Sequence, residues 1–208
     1  MTLVDLTVTE FMNVLGSDAP APGGGSASAL AASMGISLTK MVAELTVGKK
    51  KYAQYEDAMQ KVLSDATQLQ SELLAAIDKD TEAFNEVSAV FAMPKETDED
   101  KAARKEAMQK ALKIAANTPL EMMDIIFRAL QVTEHAIGKS NTNAASDLGV
   151  AALNLKSGLQ GAWLNVLINI GGIKDDAYVQ ECKAKGSQKL EEGMVLADKI
   201  YETILADM

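Results

Sequence analysis

The sequence predicts an all-α protein, a single-domain bundle of about six or seven helices spanning residues 1–208, several of them long. Composition favours this fold class, because Ala, Leu and Met are plentiful whereas aromatic residues make up only 4% and prolines number 4. Apolar residues also recur at helical spacing, and no segment shows the alternation of a strand. The clearest periodic run is Met59, Leu63, Ala66, Leu69 and Leu73.

The first helices are predicted from a cap and from apolar patterns. Thr7 and Glu10 have the spacing of a capping box, so a short helix is expected to start there and to end near Gly16. After the loop GSDAPAP, a second helix is expected over about residues 24–47. The pattern is then helical over residues 52–93, in one helix or in two with a change near residue 78.

The second half of the chain is predicted to be helical as well. The polar loop MPKETDED precedes a helix over residues 102–116. Pro119 is expected either to begin a new helix or to kink the old one, and the helix then continues to about residue 137. The connection GKSNTN leads to a helix over residues 144–170, and the turn GGIKDD leads to a final helix over residues 178–206.

The net charge of −9 argues against general nucleic-acid binding, which needs a positive surface. Cys182 has no second cysteine to pair with, so we expect a reducing compartment, the cytoplasm. One cysteine and one histidine, His135, argue against a zinc site, and we expect no metal. The apolar stretches 27–47 and 148–170 are interrupted by polar residues, so we expect buried helices and no membrane insertion. The first residues carry no secretory signal pattern.

Two apolar segments each carry a line of polar residues along one helical face. The first line contains Asn143, Asp147, Asn154, Asn165 and Asn169 with Gly158 and Gly161, and the second contains Ser26, Ser33, Ser37, Lys40 and Glu44. Buried polar groups need partners, so the lower parts of both lines are interpreted as contacts between helices. The dense clusters at the two helix starts, residues 23–26 and 140–147, are predicted to be functional. A glycine-rich helix start exposes N–H groups to a ligand.

Five groups of motifs follow one another in the chain: PAPGGGSASALAASMG, TVGKKKY, IDKDTEAF, NTPLEM, and SNTNAASDLGVAAL with WLNVLINI. In this order they resemble the cyclodeaminase/cyclohydrolase family of folate enzymes, over about residues 11–173. Ser140 departs from the family pattern, in which Gly is frequent, and the last helix carries no family motif. The resemblance implies an all-helical homodimer that dimerises through helices. It also implies a folate cleft lined by the glycine-rich segment and the SN-x-N-x-x-SD segment.

The resemblance leaves two reactions open. A methenyltetrahydrofolate cyclohydrolase adds water to 5,10-methenyltetrahydrofolate and gives 10-formyltetrahydrofolate. A formiminotetrahydrofolate cyclodeaminase closes the same ring and expels ammonia. The lack of an attached formiminotransferase domain favours the cyclohydrolase. A helical dimer that binds folate without catalysis is the third alternative. The substrate is a tetrahydrofolate derivative with one or several glutamates, and no permanently bound cofactor is expected.

Two carboxylates are the candidates for proton transfer. Asp147 lies in the first turn of a predicted helix beside Asn141 and Asn143, where an anion would stabilise the amidinium cation of the substrate and accept a proton from water. A simple helix N-terminal acid is the alternative interpretation. Asp80 shares a helical face with Phe84, and this pair of side chains would suit the binding of a pterin ring. Because acidic residues lie nearby in the sequence, an ordinary solvent-exposed helix face is the alternative interpretation.

The remaining site residues follow from the same motifs. Lys49, Lys50 and Lys51 are expected to hold the glutamate tail, with Lys50 as a catalytic candidate, or else to form a solvated run. The residues predicted to bind substrate are Gly23, Gly24, Gly25, Ser26, Lys49, Lys51, Tyr52, Phe84, Ser140, Asn141, Asn143 and Ser146. No role is expected for His135 or Cys182, and Trp163 and the methionines are expected in the core.

Overall fold

Six α-helices make up most of the computed structural model, which describes residues 2–208. They are α1 (Val8–Leu15), α2 (Gly24–Glu44), α3 (Glu56–Phe91), α4 (Asp98–Ala136), α5 (Ala145–Ile170) and α6 (Asp176–Ala206). Short 3-10 helices occur at Leu3–Asp5, Lys50–Tyr55 and Thr142–Ala144, and residues 2–208 contain no strand. The predicted all-α fold class is therefore confirmed.

Capping boxes fix the starts of two helices. Glu10 N donates to Thr7 Oγ1 at 3.2 Å, and Thr7 N donates back to Glu10 Oε2 at 2.8 Å, as the sequence spacing predicted. Thr97 and Asp100 form the same reciprocal pair at 3.0 Å in each direction. Because this second box lies inside the segment predicted as loop, α4 begins four residues before the predicted position.

Pro119 lies inside α4 and is buried, and the helix continues through it. Proline has no N–H, so the carbonyl of Ala115 loses its usual donor four residues on. Asn169 of α5 replaces that donor, with Nδ2 donating to Ala115 O at 2.8 Å. Of the two alternatives for Pro119, the start of a new helix is therefore excluded, and α4 continues because a side chain from another helix satisfies the carbonyl that the proline leaves free.

The five long helices form two layers around one core. Helices α2 and α5 lie side by side and antiparallel, so close that a Cβ at Gly35 would be 2.8 Å from Ala151 O and one at Gly158 would be 2.8 Å from Ser28 O. Behind them, α3 contacts α2, α6 contacts α5, and α4 contacts both front helices. The largest fully buried side chains are Ile36, Met59, Leu73, Met122, Met123, Ile126, Leu130, Leu148, Leu155, Leu159, Ile200 and Val42.

The polar lines of α2 and α5 bond both within their own helices and to neighbouring helices. Gln70 of α3 donates to Ser37 Oγ at 2.7 Å, so the line on α2 faces α3. On α5, Asn154 and Asn165 donate to carbonyls of their own helix, each at 2.9 Å. The interpretation as contacts between helices is therefore confirmed for Ser37 and for Asn169, which donates to a carbonyl of α4. It is wrong for Asn154 and Asn165, which bond within α5.

Exposure corrects one expectation about the core. Trp163 is half-buried and its ring covers Gly186, where a Cβ would be 2.1 Å away. Met34 and Met41, by contrast, are exposed on α2, so the prediction that the methionines are core residues is wrong for this helix. Their position is set by the outward face of the α2/α5 layer, which has no third layer over it. Within residues 2–208, no helix combines the length and the apolarity that crossing a membrane requires.

Candidate functional site

The first turn of α2 binds the carboxylate of Asp80, which lies in the C-terminal half of α3. Ser26 N donates to Asp80 Oδ2 at 2.8 Å, and Ser26 Oγ lies 3.1 Å from the same oxygen and 2.9 Å from Ile77 O. The start of a helix carries free N–H groups and a partial positive charge, so it favours an anion at this point. The chain itself supplies that anion.

Gly25 is required for this contact. A Cβ at position 25 would lie 1.9 Å from Asp80 Oδ1, far inside any tolerated contact. A Cβ at Gly23 would have no atom within 4 Å, and a Cβ at Gly24 would lie 3.4 Å from Asn165 Nδ2. Gly25 therefore makes room for Asp80, a role that the sequence did not predict, and it also lines the cavity described next. That it binds substrate stays a prediction.

A cavity of about 450 cubic ångströms lies elsewhere, between α3 and α4 beside His135, and it is separate from the predicted motifs. The cavity at Asp80 has a volume of about 290 Å³ and is called the Asp80 cleft below. Phe84 and Ile168 provide apolar walls, and Asn165 and Asn169 provide amides. Its complete lining is Pro20, Ala21, Gly23, Gly24, Gly25, Asp80, Ala83, Phe84, Val87, Ala115, Asn165, Ile168 and Asn169.

The surroundings of Asp80 alter its acidity. Burial raises the pKa of the Asp80 carboxyl, and the hydrogen bonds from Ser26 oppose that rise only in part. Both bonds from Ser26 end on Oδ2, and no donor within residues 2–208 bonds Oδ1. A carboxyl with one fixed oxygen, one free oxygen and a raised pKa can exchange protons with a molecule in the cleft.

A second polar cluster lies at the far end of α2. Thr142 N donates to the Tyr52 hydroxyl at 3.0 Å, and this hydroxyl donates to Asn141 Oδ1 at 3.3 Å. Lys51 Nζ lies 3.4 Å from Thr142 Oγ1 and 5.2 Å from the centre of the Tyr52 ring. Hydrogen bonds with Thr142 lower the pKa of the Tyr52 phenol, and Lys51 lowers it further. Lys51, Tyr52, Asn141 and Thr142 are called the Asn141 cluster below.

The Asn141 cluster is tied to the end of α2. Asn141 N donates to Thr46 Oγ1 at 2.8 Å, and Asn141 Nδ2 donates to Leu45 O at 3.3 Å. Asp147 is half-buried in the first turn of α5, next to this cluster in the chain. The other predicted residues of the two motifs differ in exposure: Ser140 is buried, whereas Lys49, Lys50, Asn143 and Ser146 are exposed.

The two polar sites lie at opposite ends of one helix. Asp80 contacts the first turn of α2, whereas Asn141 contacts residues that follow its last turn. The helix has 21 residues, which at about 1.5 Å per residue makes it about 30 Å long. Within one chain, therefore, the glycine-rich segment and the SN-x-N-x-x-SD segment do not line a common cleft, and Asp80 and Asp147 do not meet.

Several contributors to these sites were not predicted from the sequence. Asn165 and Asn169 line the Asp80 cleft although their positions in a polar line indicated packing. Thr46 and Thr142 hold the Asn141 cluster. Both lie inside the motifs TVGKKKY and SNTNAASDLGVAAL, which were the signal that could have identified them, but neither was predicted as a site residue.

Other titratable residues lie away from both sites. Asp78, close to Asp80 in the chain, accepts from Leu3 N at 2.6 Å and so anchors the first residues of the protein. Cys182 is buried. Within residues 2–208, no three His, Cys, Asp or Glu side chains are grouped so as to hold a metal ion.

Known proteins are similar to this chain in sequence and in fold. Residues 7–188 match the family described as formiminotransferase-cyclodeaminase. A methenyltetrahydrofolate cyclohydrolase from Methylorubrum extorquens is 40% identical over 198 residues, which are 95% of each protein. A formimidoyltransferase-cyclodeaminase from Rattus norvegicus is 29% identical over 205 residues, and the chain spans 38% of its length.

A solved structure extends this similarity to three dimensions. The formiminotetrahydrofolate cyclodeaminase from Thermotoga maritima superposes with a TM-score of 0.80 and 27% identity. The superposition covers 96% of this chain and 93% of that one. Since the family match covers most of the chain and the 40% identical relative is matched end to end, this protein belongs to the formiminotransferase-cyclodeaminase family.

Proposed function

We propose that the protein is a methenyltetrahydrofolate cyclohydrolase, which hydrolyses 5,10-methenyltetrahydrofolate to 10-formyltetrahydrofolate. The observation that carries the proposal is the Asp80 carboxyl, held on one oxygen by Ser26 and free on the other inside the cleft. The relative that bears this name matches 95% of the chain, and so supports this reaction.

The reaction needs one group that takes and gives protons. Water adds to the carbon between N5 and N10 of the cationic substrate, and Asp80 accepts the proton that this water loses. The bond from that carbon to N5 then breaks, the hydroxyl of the adduct becomes the formyl carbonyl, and N5 receives a proton. One proton is released to solvent overall. A carboxyl with a raised pKa suits both steps of this reaction, the addition of water and the cleavage of the bond to N5.

The walls of the cleft suit the substrate as well. The exposed ring of Phe84 and the side chain of Ile168 offer apolar surface to a flat pterin, and the amide of Asn165 offers hydrogen bonds. The ionised carboxylate of Asp80 would also stabilise the positive amidinium before water attacks. No metal ion is required for any of these steps.

A formiminotetrahydrofolate cyclodeaminase is the second candidate, because the solved structure with a TM-score of 0.80 carries that name. The same carboxyl would then protonate the departing ammonia while N10 closes onto the formimino carbon. We further propose a homodimer that acts in the cytoplasm on folates with one or several glutamates. The single, buried Cys182 suits a reducing compartment.

The test is protein-dependent loss of 5,10-methenyltetrahydrofolate, followed by its ultraviolet absorbance after subtraction of spontaneous hydrolysis. We expect a rate that scales with protein concentration and disappears when the protein is heat-denatured. No rate above background would reject the cyclohydrolase, and ammonia release from 5-formiminotetrahydrofolate would then test the cyclodeaminase. If neither assay detects activity and the protein still binds folate, it is a folate-binding protein without catalysis.

A further inference from the structure

The hydroxyl of Ser26 has more hydrogen-bond partners than protons. Its Oγ lies 2.9 Å from Ile77 O, 3.1 Å from Asp80 Oδ2 and 3.3 Å from Thr81 Oγ1. A serine hydroxyl carries one proton and two lone pairs, so it donates to only one of these atoms at a time. Ser26 is fully buried, so solvent does not reach it. The direction of its proton therefore depends on the state of these three partners.

Two of the three partners are pure acceptors when Asp80 is ionised. The carbonyl of Ile77 can only accept, and an ionised carboxylate also can only accept. The hydroxyl of Thr81 has a proton of its own, which it can donate to a lone pair of Ser26 Oγ. The proton of Ser26 is then left for the two acceptors, of which the charged oxygen is the stronger. In the ionised site, therefore, Ser26 donates to Asp80 Oδ2.

The backbone of Ser26 determines which oxygen of the neutral acid carries the proton. Ser26 N donates to Asp80 Oδ2 at 2.8 Å, and this N–H belongs to the first turn of α2, so it cannot turn away. The hydroxyl oxygen of a carboxylic acid is a poorer acceptor than its carbonyl oxygen, so the N–H favours Oδ2 as the carbonyl oxygen. The proton of the neutral acid therefore lies on Oδ1.

Asp80 Oδ1 is the oxygen that a molecule in the cleft can reach. No donor within residues 2–208 bonds it, whereas every fully buried side-chain oxygen or nitrogen in that part of the chain has a partner. Oδ1 is therefore not fully buried, and Asp80 belongs to the lining of the Asp80 cleft. A proton that leaves a water molecule in the cleft arrives at this oxygen.

We propose that Ser26 is a positioning residue whose hydroxyl turns between two acceptors as Asp80 gains and loses a proton. With Asp80 ionised, the hydroxyl donates to Oδ2. When water gives a proton to Oδ1 and its oxygen bonds to the folate carbon, Oδ2 loses its charge and the hydroxyl turns to Ile77 O. When Oδ1 passes that proton to N5, the hydroxyl turns back. The inference rests on the proposed function, because it assigns these proton transfers to that reaction.

No other charged side chain lines the Asp80 cleft. Burial raises the pKa of Asp80, and the bonds from Ser26 lower it. Removal of the Ser26 hydroxyl should therefore alter this acid directly. The charged residues that stand closest in the chain to the lining residues are all outside the lining: Asp18 before α2, Lys40 on α2, Asp78, Lys79, Glu82 and Glu86 on α3, Lys113 and Glu121 on α4, and Lys156 and Lys174 on and after α5.

Ser26→Ala tests the proposal through the pH dependence of kcat. The substitution removes the hydroxyl and keeps the N–H, so it weakens the ionised form of Asp80 more than the neutral form. We expect the midpoint of the rise in kcat to move to higher pH by about one unit. Above the midpoint, kcat should stay within about threefold of the wild type. A lower kcat with an unmoved midpoint would mean that Ser26 only supports the fold, and would overturn the proposal.

Ser33→Ala is the matched control. Ser33 is also a buried serine of α2, but its hydroxyl donates to Ala29 O of its own helix, at 2.8 Å. This variant should keep both the midpoint and the maximum of kcat. If its midpoint moved as far as that of Ser26→Ala, the loss of any buried hydroxyl of α2 would produce the effect, and the assignment to Ser26 would be rejected.

Thr81→Val decides the question if Ser26→Ala does not fold. Thr81 is half-buried, and valine has nearly its shape without the hydroxyl. Once Thr81 no longer donates to Ser26 Oγ, Ser26 becomes a weaker donor to Asp80. The midpoint should rise by less than in Ser26→Ala, and Thr81→Ser should return it to the wild-type value. An unmoved midpoint in Thr81→Val would overturn the proposal.

Carbon NMR of the Asp80 carboxyl separates this inference from the proposed function, because it needs no substrate. The protein carries isotope-labelled aspartate, and the Asp80 signal is the one that Asp80→Asn lacks. The midpoint of its titration should rise in Ser26→Ala by about one unit, as in the kinetic profile. If the protein has no cyclohydrolase activity but this titration moves, the proposed function fails and the effect of the hydroxyl on Asp80 stands. An unmoved titration would overturn the role of Ser26, whichever reaction the protein catalyses.

Discussion

The carboxylate of Asp80 occupies the space that any side chain at position 25 would need, since a Cβ at Gly25 would lie 1.9 Å from Asp80 Oδ1. Position 25 and position 80 therefore constrain each other across two helices. The backbone of α2 can approach α3 so closely only because residue 25 has no side chain. The site geometry depends on this pair as much as on the carboxyl itself.

Gly25→Ala should displace Asp80 and reduce enzymatic activity far more than it reduces the stability of the fold. The added methyl group forces the carboxylate away from Ser26, at a cost of about 1–3 kcal/mol in unfolding free energy. We expect kcat to fall by about 100-fold or more, because the proton-transfer group is misplaced. Steady-state kinetics and chemical denaturation measure the two effects.

Gly23→Ala is the matched control for this substitution, because a Cβ at Gly23 meets nothing within 4 Å. It should leave the free energy of unfolding nearly unchanged, and any fall in kcat should be much smaller than that of Gly25→Ala, because Asp80 stays in place. Equal losses in the two variants would mean that the glycines act through backbone conformation and not through Asp80.

Asp80→Asn should separate activity from stability. Asn retains an oxygen that accepts from Ser26 but cannot transfer the proton, so we expect kcat to fall by about 10²–10⁴-fold. Because burial makes the ionised carboxylate unfavourable, the variant should be as stable as the wild type at pH 7, or more stable. Asp78→Asn, two residues earlier on α3, is the control and should keep its activity. A large loss of stability in Asp80→Asn would mean that the charge of Asp80 stabilises the fold.

The pH dependence follows from the raised pKa of Asp80. Activity should rise with pH as the carboxyl loses its proton, with a midpoint above about 3.9, the ordinary value for Asp. The pH dependence of stability has the opposite sign. Between the pKa of Asp80 in the unfolded chain and its higher pKa in the folded protein, the folded protein binds more protons than the unfolded chain. The free energy of unfolding therefore falls as pH rises through that interval.

Comparison with Asp80→Asn isolates this contribution, because the other carboxyls are common to both proteins. The difference in unfolding free energy between variant and wild type should grow as pH rises, and then level off above the folded pKa. Urea denaturation at a series of pH values measures it. A difference that shrinks with rising pH would contradict a raised pKa.

Asn169→Ala should destabilise the protein by about 1–3 kcal/mol, because it leaves the carbonyl of Ala115 without a donor in the helix that Pro119 interrupts. Pro119→Ala supplies a backbone N–H to the same carbonyl. The double variant should therefore be more stable than the sum of the two single changes predicts. Strict additivity in a double-mutant cycle of unfolding free energies would show that Asn169 does not serve this carbonyl.

The helices were predictable from sequence because their signals are local. The Thr7 and Glu10 cap, the periodic apolar residues and the pairing of Asp80 with Phe84 on one face all depend on residues within a few positions of one another. The sequence left open whether α4 continues through Pro119, since the donor that replaces the missing N–H comes from Asn169, on another helix.

The site was predictable only in part, for a related reason. Helical spacing says which residues share a face, but it does not say which ends of two helices meet. The glycine-rich segment and the SN-x-N-x-x-SD segment were expected to line one cleft, and the antiparallel arrangement of α2 and α5 separates them within a chain. Gly25 was correctly identified as a point of close approach, while the group that approaches it belongs to α3.

The contact of α2 with α5 at Gly35 and Gly158 places backbone against backbone, with no layer of side chains between the two helices. Such a contact fixes the backbones of the two helices relative to each other, so the layer does not rearrange when a molecule meets its outward face. Only the exposed side chains on that face, such as Met34 and Met41, then lose conformational entropy on contact. The cost of meeting this face therefore lies in side-chain ordering and not in movement of the helices.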